Sequence, residues 1–349
     1  MTRNSFIDLI DLASERLGAS VVAANDDFFA PKENLIRPDA PRWREGEYTD
    51  RGKWMDGWET RRRREPGFDW CIVRLGVRGL VRGLDVDTSY FKGNYPEACA
   101  LDGCDLAGPP EAGLHESTWG PPSGEPLGAT SCATAELERA AWVQLLPQTP
   151  LAGDTHNVLA VEAGSKSTHV RLRIFPDGGV ARLRVYGEVA PDWNLLRRRG
   201  EIDLAAIEHG GVVVGCSDMF FGSRHNLILP GDPLNMGDGW ETQRRRGAGH
   251  DWTIVRLGAP GTVQRIDVDT RFFKGNAPGW CSLDAAAAGT AASVGDRDWR
   301  ELMPRTALRP DTVHTFNAEV RPVGEITHAR LNIYPDGGVA RLRLFGRPR

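Results

Sequence analysis

The sequence Gly-Trp-Glu-Thr occurs twice in this 349-residue chain, at residues 57–60 and 239–242, and arginines follow both copies at the same spacing. A carboxyl group can serve as a general acid or base, and a guanidinium group binds a carboxylate through two parallel hydrogen bonds. The candidate catalytic residues are therefore Glu59 and Glu241, and the candidate ligand-binding residues beside them are Arg62, Arg244, Trp58 and Trp240. The alternative is an exposed ion-pair network next to a packing tryptophan, because structural networks also gather charge.

A second repeated segment, Phe-Lys-Gly-Asn, lies at residues 91–94 and 273–276. Its glycine permits a close approach of the backbone, and its lysine and asparagine side chains can donate hydrogen bonds to carbonyl or carboxylate oxygens. The candidate donors are Lys92, Asn94, Lys274 and Asn276. A plain turn with a solvated lysine is an equally good interpretation, because glycine and asparagine are common turn residues.

Polar residues upstream of the glutamates also match between the two copies. Asp26 and Asn34 correspond to Asp218 and Asn226, around a pair of phenylalanines that we expect in the core. These polar residues could line the rim of a pocket or cap a turn. Paired aspartates also occur on two predicted strands, but two carboxylates without clustered histidines are weak evidence for a metal site.

Four of the eight histidines fall in corresponding places: His169 with His328 and, allowing for a one-residue shift, His156 with His314. A histidine titrates near neutral pH and can act as a general acid or base, so His156 and His314 are secondary catalytic candidates. A structural or solvated histidine on a strand is the more common case. The chain has no Gly-x-Ser-x-Gly, Walker or His-Glu-x-x-His motif, which leaves nucleotide-binding and serine-hydrolase interpretations little support.

These matches belong to a repetition of the whole chain. Residues 69–76 resemble residues 251–258, and residues 176–184 are identical to residues 335–343. The period is far longer than the unit of a solenoid, and each copy is long enough to bury its own core. We therefore predict two tandem domains joined by a linker, with the first domain at 1–187, the linker at 188–198 and the second domain at 199–349.

Local patterns predict an all-β fold. Apolar residues alternate with polar ones at 170–174 and 183–185, which is typical of strands with one buried face. Pro-Asp-Gly-Gly at 176–179 and 335–338 predicts a tight turn between two strands. Each copy should be an antiparallel jelly-roll β-sandwich, because many short strands are separated by glycine and proline turns.

A short helix should open each copy. In the first copy Phe6, Ile10, Ala13 and Leu17 recur at helical spacing and Gly18 could end the helix, and in the second copy the equivalent is residues 202–207. The first copy also carries insertions. Asn34 and Glu59 are 25 positions apart, whereas Asn226 and Glu241 are 15 apart, and the extra residues include Trp43 and Trp54. A further Gly- and Pro-rich stretch at 103–135 is expected to be an irregular surface loop.

Composition argues against several other classes. The formal net charge of −4 provides no general attraction to nucleic acid. No apolar stretch is long enough to span a membrane, and Asp8 comes too early for a secretory signal. The six cysteines do not duplicate in pairs and lack Cys-x-x-Cys spacing, so we expect reduced thiols in a cytoplasmic protein. Assembly into a homo-oligomer is left open.

Long motifs in a fixed order resemble those of the allantoicase family, also called allantoate amidinohydrolases. In the second copy these motifs lie at Asp-x-Phe-Phe (218–221), Met-Gly-Asp-Gly-Trp-Glu-Thr-x-Arg-Arg-Arg (236–246), His-Asp-Trp (250–252), Val-Asp-Thr-x-x-Phe-Lys-Gly-Asn-x-Pro (268–278) and Tyr-Pro-Asp-Gly-Gly-Val-Ala-Arg-Leu-Arg (334–343). The first copy carries the same motifs, with Phe68 in place of His250 and Arg61 in place of Gln243. The resemblance covers nearly the whole chain.

The resemblance implies two galactose-binding-like jelly-roll modules and the hydrolysis of allantoate to ureidoglycolate and urea, in the breakdown of purine-derived allantoin. Allantoate has one carboxylate and two ureido groups on a single carbon. The candidate arginines would bind the carboxylate, the lysines and asparagines would donate to ureido oxygens, and Asp26 and Asp218 would accept from ureido N–H groups. The glutamates, or secondarily the histidines, would supply acid–base catalysis. No cofactor is implied, and a divalent metal ion that polarises the ureido carbonyl stays open.

Two other functions stay open. One is a non-catalytic tandem carbohydrate- or ureide-binding β-sandwich, in which some of the eleven tryptophans stack on the ligand. The other is hydrolysis of a different ureide. The repeated acid-plus-arginine cluster favours an enzyme over a lectin-like module, because such modules bind through variable loops.

Overall fold

The computed structural model describes residues 5–106, 137–162, 165–287 and 299–349. The chain forms two compact units, Met1–Ala190 and Pro191–Arg349. In the described ranges nearly all regular structure is β-strand, arranged in the same order in both units. The predicted fold class, two tandem β-sandwich modules, is therefore confirmed.

The first unit contains twelve strands in its described part. They are β1 (Ile10–Asp11), β2 (Ser20–Ala24), β3 (Tyr48–Thr49), β4 (Gly52–Lys53), β5 (Trp58–Glu59), β6 (Asp69–Asp87), β7 (Ala98–Cys104), β8 (Val143–Pro150), β9 (His156–Ala160), β10 (Lys166–Phe175), β11 (Gly179–Val180) and β12 (Arg182–Val189).

The long strand β6 organises the first unit. Its first part pairs with β2 and β10, and its second part pairs with β12 and β9, all antiparallel. The sheet then continues from β10 through β7 to β8. Apolar residues of β6 such as Val73, Leu84 and Val86 are fully buried, so a single strand contributes to the core along its whole length.

The second unit repeats this arrangement. Its strands are β13 (Ile202–Asp203), β14 (Val212–Cys216), β15 (Trp240–Glu241), β16 (Asp251–Asp269), β17 (Trp280–Ala286), β18 (Arg300–Ala307), β19 (Val313–Phe316), β20 (Ile326–Tyr334), β21 (Gly338–Val339) and β22 (Arg341–Pro348). β16 takes the place of β6 and pairs with β14, β19, β20 and β22.

The predicted opening helix is wrong in its form. In the first unit two 3-10 turns, Ser5–Asp8 and Glu15–Leu17, lie on either side of β1. β1 pairs with β12, and the Asp11 carboxylate accepts hydrogen bonds from the backbone N–H groups of Ala13 and Val185. These bonds hold the segment extended against the sheet, so tertiary pairing overrides the local helical spacing. In the second unit the strand β13 and the 3-10 turn Ile207–His209 replace the predicted helix.

The segment predicted as a linker, 188–198, contains the division between the two units, begins with the last two residues of β12 and includes most of a seven-residue α-helix, Trp193–Arg199. The side chain of Asp192 caps that helix by accepting from the N–H groups of two helical residues. The loop predicted from residue 103 begins later, because Gly103 and Cys104 belong to β7. The rest of that predicted loop, from residue 107, lies outside the described residues.

Two further observations bear on the sequence-based expectations. Five cysteines are free thiols, namely Cys71, Cys99, Cys104, Cys216 and Cys281, and Cys132 lies outside the described residues. Of the helices in the described ranges, none is both long and apolar enough to cross a bilayer.

Candidate active site

A close backbone contact brings the two repeated motifs of the first unit together. β5 pairs with β11 so that Glu59 lies opposite Gly179. The N–H of Gly179 donates to the carbonyl oxygen of Asn94 at 2.7 Å. The preceding residue, Gly178, has φ 138°, and a Cβ there would lie 2.8 Å from the same oxygen. The Pro-Asp-Gly-Gly turn therefore requires a glycine at this close approach.

A side-chain hydrogen bond links the acid to the amide in each unit. Asn94 Nδ2 donates to Glu59 Oε1 at 2.7 Å, and Asn276 Nδ2 donates to Glu241 Oε1 at 2.6 Å. In the second unit β15 pairs with β21 as β5 pairs with β11. Residues that the sequence identified as separate candidates thus form one glutamate–asparagine pair per unit.

The environment of Glu59 favours its protonated form. Burial raises the pKa of this carboxyl group, and the hydrogen bond from Asn94 opposes the rise. Burial acts in this direction because a charged carboxylate loses hydration that the low-dielectric surroundings do not replace. A carboxyl group that keeps its proton to higher pH is suited to donate that proton to a leaving group.

Glu59 and Asn94 face a cleft of about 610 Å³. Trp43 and Tyr90 form one wall, where their rings stack with centroids 5.8 Å apart. Lys53 also lines the cleft, and its Nζ lies 4.1 Å from the centre of the Trp43 ring. The cleft therefore combines an acid, an amide, an ammonium group and aromatic surface, which is the mixture expected of a small-molecule site.

Part of this wall comes from the segment that is longer in the first copy. It forms the hairpin of β3 and β4, in which Lys53 pairs with Tyr48. Arg182 anchors the segment: its Nη2 donates to Asp56 Oδ2 at 2.9 Å and its Nε donates to the carbonyl oxygen of Asp39 at 2.9 Å. Both partners of the Arg182–Asp56 ion pair are buried, which makes the anchor sensitive to loss of either one.

The cleft residues that sequence reasoning missed as site residues include Trp43, Lys53 and Tyr90. The available signal was the greater length of the first copy between Asn34 and Glu59, together with the tryptophans in it. Length alone does not indicate whether an insertion folds over a site or away from it.

The rim of the equivalent pair in the second unit is apolar and exposed. Phe220 and Phe221, which were expected in the core, are instead 64% and 62% exposed, and Leu234 and Met236 are 56% and 45% exposed. Met236 Sδ lies 3.4 Å from Asn276 Nδ2. The two glutamate–asparagine pairs therefore have the same internal geometry but different surroundings.

Arg62, predicted to bind a carboxylate beside Glu59, lines a different cleft of about 330 Å³. That cleft also includes Asp26 and Asp69, and it shares no lining residue with the Glu59 cleft. Arg62 and Arg244 are exposed, and within the described ranges neither has an ion-pair partner. The structure thus separates the predicted arginine from the predicted acid.

The next arginine of each run is structural. The backbone N–H of Arg63 donates to Asp177 Oδ2 at 2.8 Å, and its Nη1 donates to Asp69 Oδ1 at 2.7 Å. Arg245 makes the corresponding contacts with Asp336 and Asp251. These bonds tie the arginine run to the Pro-Asp-Gly-Gly turn and to the start of the long strand.

Asp26 and Asp218 act as turn caps. Asp26 Oδ2 accepts from the backbone N–H of Arg61 at 2.8 Å, and Asp218 Oδ2 accepts from that of Gln243 at 2.6 Å. The neighbouring tryptophans, Trp58 and Trp240, are fully buried, and their indole N–H groups donate to the carbonyl oxygens of the two aspartates. These residues support the strand that carries the glutamate. The buried tryptophan rings lie in the core.

The predicted equivalence of His156 and His314 is wrong. In β9 it is Asn157 that pairs with Val86, whereas in β19 it is His314 that pairs with Val268. Asn157 and His314 also make the same two backbone contacts, one to the paired valine carbonyl and one to the N–H of the residue five positions earlier. His314 thus substitutes for a structural asparagine, and burial lowers its pKa.

The remaining candidates lie at the edges of the site. His156 bonds to Asp85 through Nδ1 at 2.8 Å, which raises the histidine pKa, and it does not line the Glu59 cleft. Lys92 lines that cleft, and its Nζ lies 3.7 Å from Asp154 Oδ2. Lys274 is placed in the same way beside Asp311, at 3.9 Å. Among the residues that the structure describes, no group of three or more histidine, cysteine, aspartate or glutamate side chains is arranged to hold a metal ion.

Comparisons with known proteins agree along the whole length of the chain. The family model "Allantoicase repeat" matches residues 10–190 and again residues 202–349. The chain is 46% identical over 346 residues to a probable allantoicase of Photobacterium profundum, covering 98% of this chain and 97% of that protein. It is 46% identical over 347 residues to a probable allantoicase of Pseudomonas aeruginosa, with the same coverage. The crystal structure of allantoicase from Saccharomyces cerevisiae superimposes with a TM-score of 0.75 at 32% identity, covering 97% of this chain and 92% of that one.

Proposed function

This chain belongs to the allantoicase family, and we propose that it hydrolyses allantoate to ureidoglycolate and urea in the cleft that contains Glu59 and Asn94. The observation that carries this assignment of the site is the hydrogen-bonded glutamate–asparagine pair, whose acid has a raised pKa and faces open volume. The second unit repeats the pair as Glu241 and Asn276.

The bond to be broken joins the central carbon of allantoate to a ureido nitrogen. Urea is a poor leaving group unless its nitrogen is protonated, so the reaction needs a general acid. Protonated Glu59 donates to that nitrogen as the bond breaks, the bonding electron pair departs with urea, and the lone pair of the remaining ureido nitrogen forms a C=N bond to the central carbon. Water then adds to the central carbon, and the Glu59 carboxylate accepts a proton from it. One water is consumed, one urea is released, and Glu59 regains its proton.

Groups around Glu59 fit the rest of this substrate. One N–H of the Asn94 amide donates a hydrogen bond to Glu59, and the other N–H can donate to a ureido oxygen. The ammonium group of Lys92, exposed at the mouth of the cleft, is a further donor. Fixing the substrate against the acid in this way lowers the entropic cost of reaching the transition state.

Urea release from allantoate tests the function directly. We expect Glu59→Gln together with Glu241→Gln to lower kcat/KM by about 100-fold or more, the lower range of a positioned general acid. The single variants show how turnover divides between the units. Glu188→Gln is the matched control. Glu188 is an exposed glutamate on β12 that forms an ion pair with Arg82 of β6. If the double variant keeps the kcat/KM of the wild type, the acid–base assignment is wrong.

The same experiment separates the enzyme from the alternative of a binding module. A protein that retains glycans or ureides on a column, and releases no urea from allantoate, would be the non-catalytic β-sandwich. Release of urea that depends on Glu59 or Glu241 supports the hydrolase.

A further inference from the structure

We propose that Lys53 binds the carboxylate of the substrate and makes the first unit's site the one that selects an anionic ureide. This inference rests on the function proposed above and deepens it. In this proposal Lys53 takes the carboxylate-binding role that the sequence assigned to Arg62, because Arg62 lines a separate cleft from Glu59.

The cleft needs a cation for a carboxylate, and Lys53 is the better placed of its two lysines. Lys92 Nζ lies 3.7 Å from Asp154 Oδ2, so its charge is partly compensated within the protein. Lys53 lines the same cleft and, among the residues that the structure describes, has no acidic side chain within ion-pair distance. An ammonium group without a counter-ion beside a half-buried site attracts an anionic ligand.

Two contacts fix the position of Lys53. Its backbone pairs with Tyr48 in the β3–β4 hairpin. Its Nζ lies 4.1 Å from the centre of the Trp43 ring, a distance at which the ring face attracts a cation. This contact holds the ammonium group at the cleft wall and leaves its N–H groups able to donate to a carboxylate. Trp43 in turn stacks on Tyr90, which follows the long strand β6.

In the second unit the corresponding segment contains no lysine or arginine that could bind the carboxylate. Residues 227–240, between Asn226 and Glu241, contain neither. The rim beside Asn276 carries the thioether of Met236 instead. The two glutamate–asparagine pairs therefore differ in the group that would meet the substrate carboxylate, and the first unit is expected to discriminate more strongly in favour of an anion.

The test compares allantoate with its methyl ester, which keeps both ureido groups but lacks the negative charge. Both substrates are measured in the Glu241→Gln background, so that only the first unit contributes. We expect Lys53→Met to lower kcat/KM for allantoate by about 10- to 100-fold, the range for a hydrogen bond to a charged group, mainly through KM. Its kcat/KM for the ester should stay within about two-fold, and Lys53→Arg should restore most of the preference for allantoate.

Lys166→Met is the matched control, because Lys166 is an exposed lysine at the start of β10, outside the cleft lining. Thermal melting confirms that the variants fold. An equal loss on allantoate and ester, no loss on either, or a charge-selective loss in Lys92→Met alone overturns the assignment to Lys53. So does an inactive Glu241→Gln protein, since turnover would then not belong to the first unit. If the unmodified protein releases no urea from allantoate, the proposed function itself fails.

Discussion

Replacing Asn94 with alanine removes the amide group that stabilises the charged form of Glu59. The Asn94 Nδ2–Glu59 Oε1 distance is 2.7 Å, and this bond opposes the rise in the Glu59 pKa caused by burial. The backbone carbonyl of Asn94, which accepts from Gly179, is unaffected by the substitution. The loop should therefore keep its position while the carboxyl group loses its donor.

The magnitude follows from the strength of that bond. A hydrogen bond to a charged group contributes about 1.5–3 kcal/mol, and one pKa unit corresponds to about 1.4 kcal/mol. Asn94→Ala should therefore raise the pKa of Glu59. Because protonated Glu59 is the proposed acid, the pH above which kcat/KM declines should move upward.

The assay is the pH dependence of kcat/KM for urea release from allantoate, in the Glu241→Gln background. The absolute rate will fall if Asn94 also contacts substrate, but the pH at which the alkaline limb begins reports the essential acid of the free enzyme, which is Glu59 in this proposal. Asn276→Ala in the same background is the control, and it should leave the limb in place. An alkaline limb that stays where it is, or moves to lower pH, in Asn94→Ala would refute the role of Glu59 as the acid.

Two further predictions concern stability. Burial raises the pKa of Asp11 to about 6 from 3.8, so the folded state holds a proton that the unfolded state releases, and the free energy of unfolding falls as pH rises from about 4 to about 6. Asp11→Asn should remove that fall, which is on the order of 3 kcal/mol. Chemical unfolding at pH 4–7 measures it, and a variant whose free energy of unfolding still falls with pH as in the wild type would contradict the prediction. Gly179→Ala places a Cβ 1.9 Å from the ring of Phe91, which should cost about 1–3 kcal/mol through overpacking. Gly93→Ala, with nothing within 4 Å, is the control, and equal melting temperatures for the two variants would show that the ring moves freely.

Local patterns in the sequence were sufficient to predict the repeat and the all-β class. Alternation of apolar and polar residues records which face of a strand is buried, because that property belongs to each strand separately. The glycines of Pro-Asp-Gly-Gly likewise predicted the turn that the structure contains. The prediction of a helix around Ile10 failed because helical spacing is a local signal, and the pairing of β1 with β12 joins residues about 175 positions apart.

The candidate site likewise combines features that the sequence predicted with features that only tertiary contacts determine. Glutamate, arginine, lysine and asparagine were recognised by type and repetition, but their grouping was not. Glu59 and Arg62 line different clefts although only three positions separate them, because the strand that carries Glu59 ends there and the arginine run continues beside Asp26 and Asp69. A one-residue shift in register likewise moved His156 away from the place that His314 occupies. The sequence determined which chemical groups the protein has and that it has them twice. Tertiary structure decided which groups meet, because strand register, the close approach of Gly179 to Asn94 and the fold of the β3–β4 hairpin are long-range contacts.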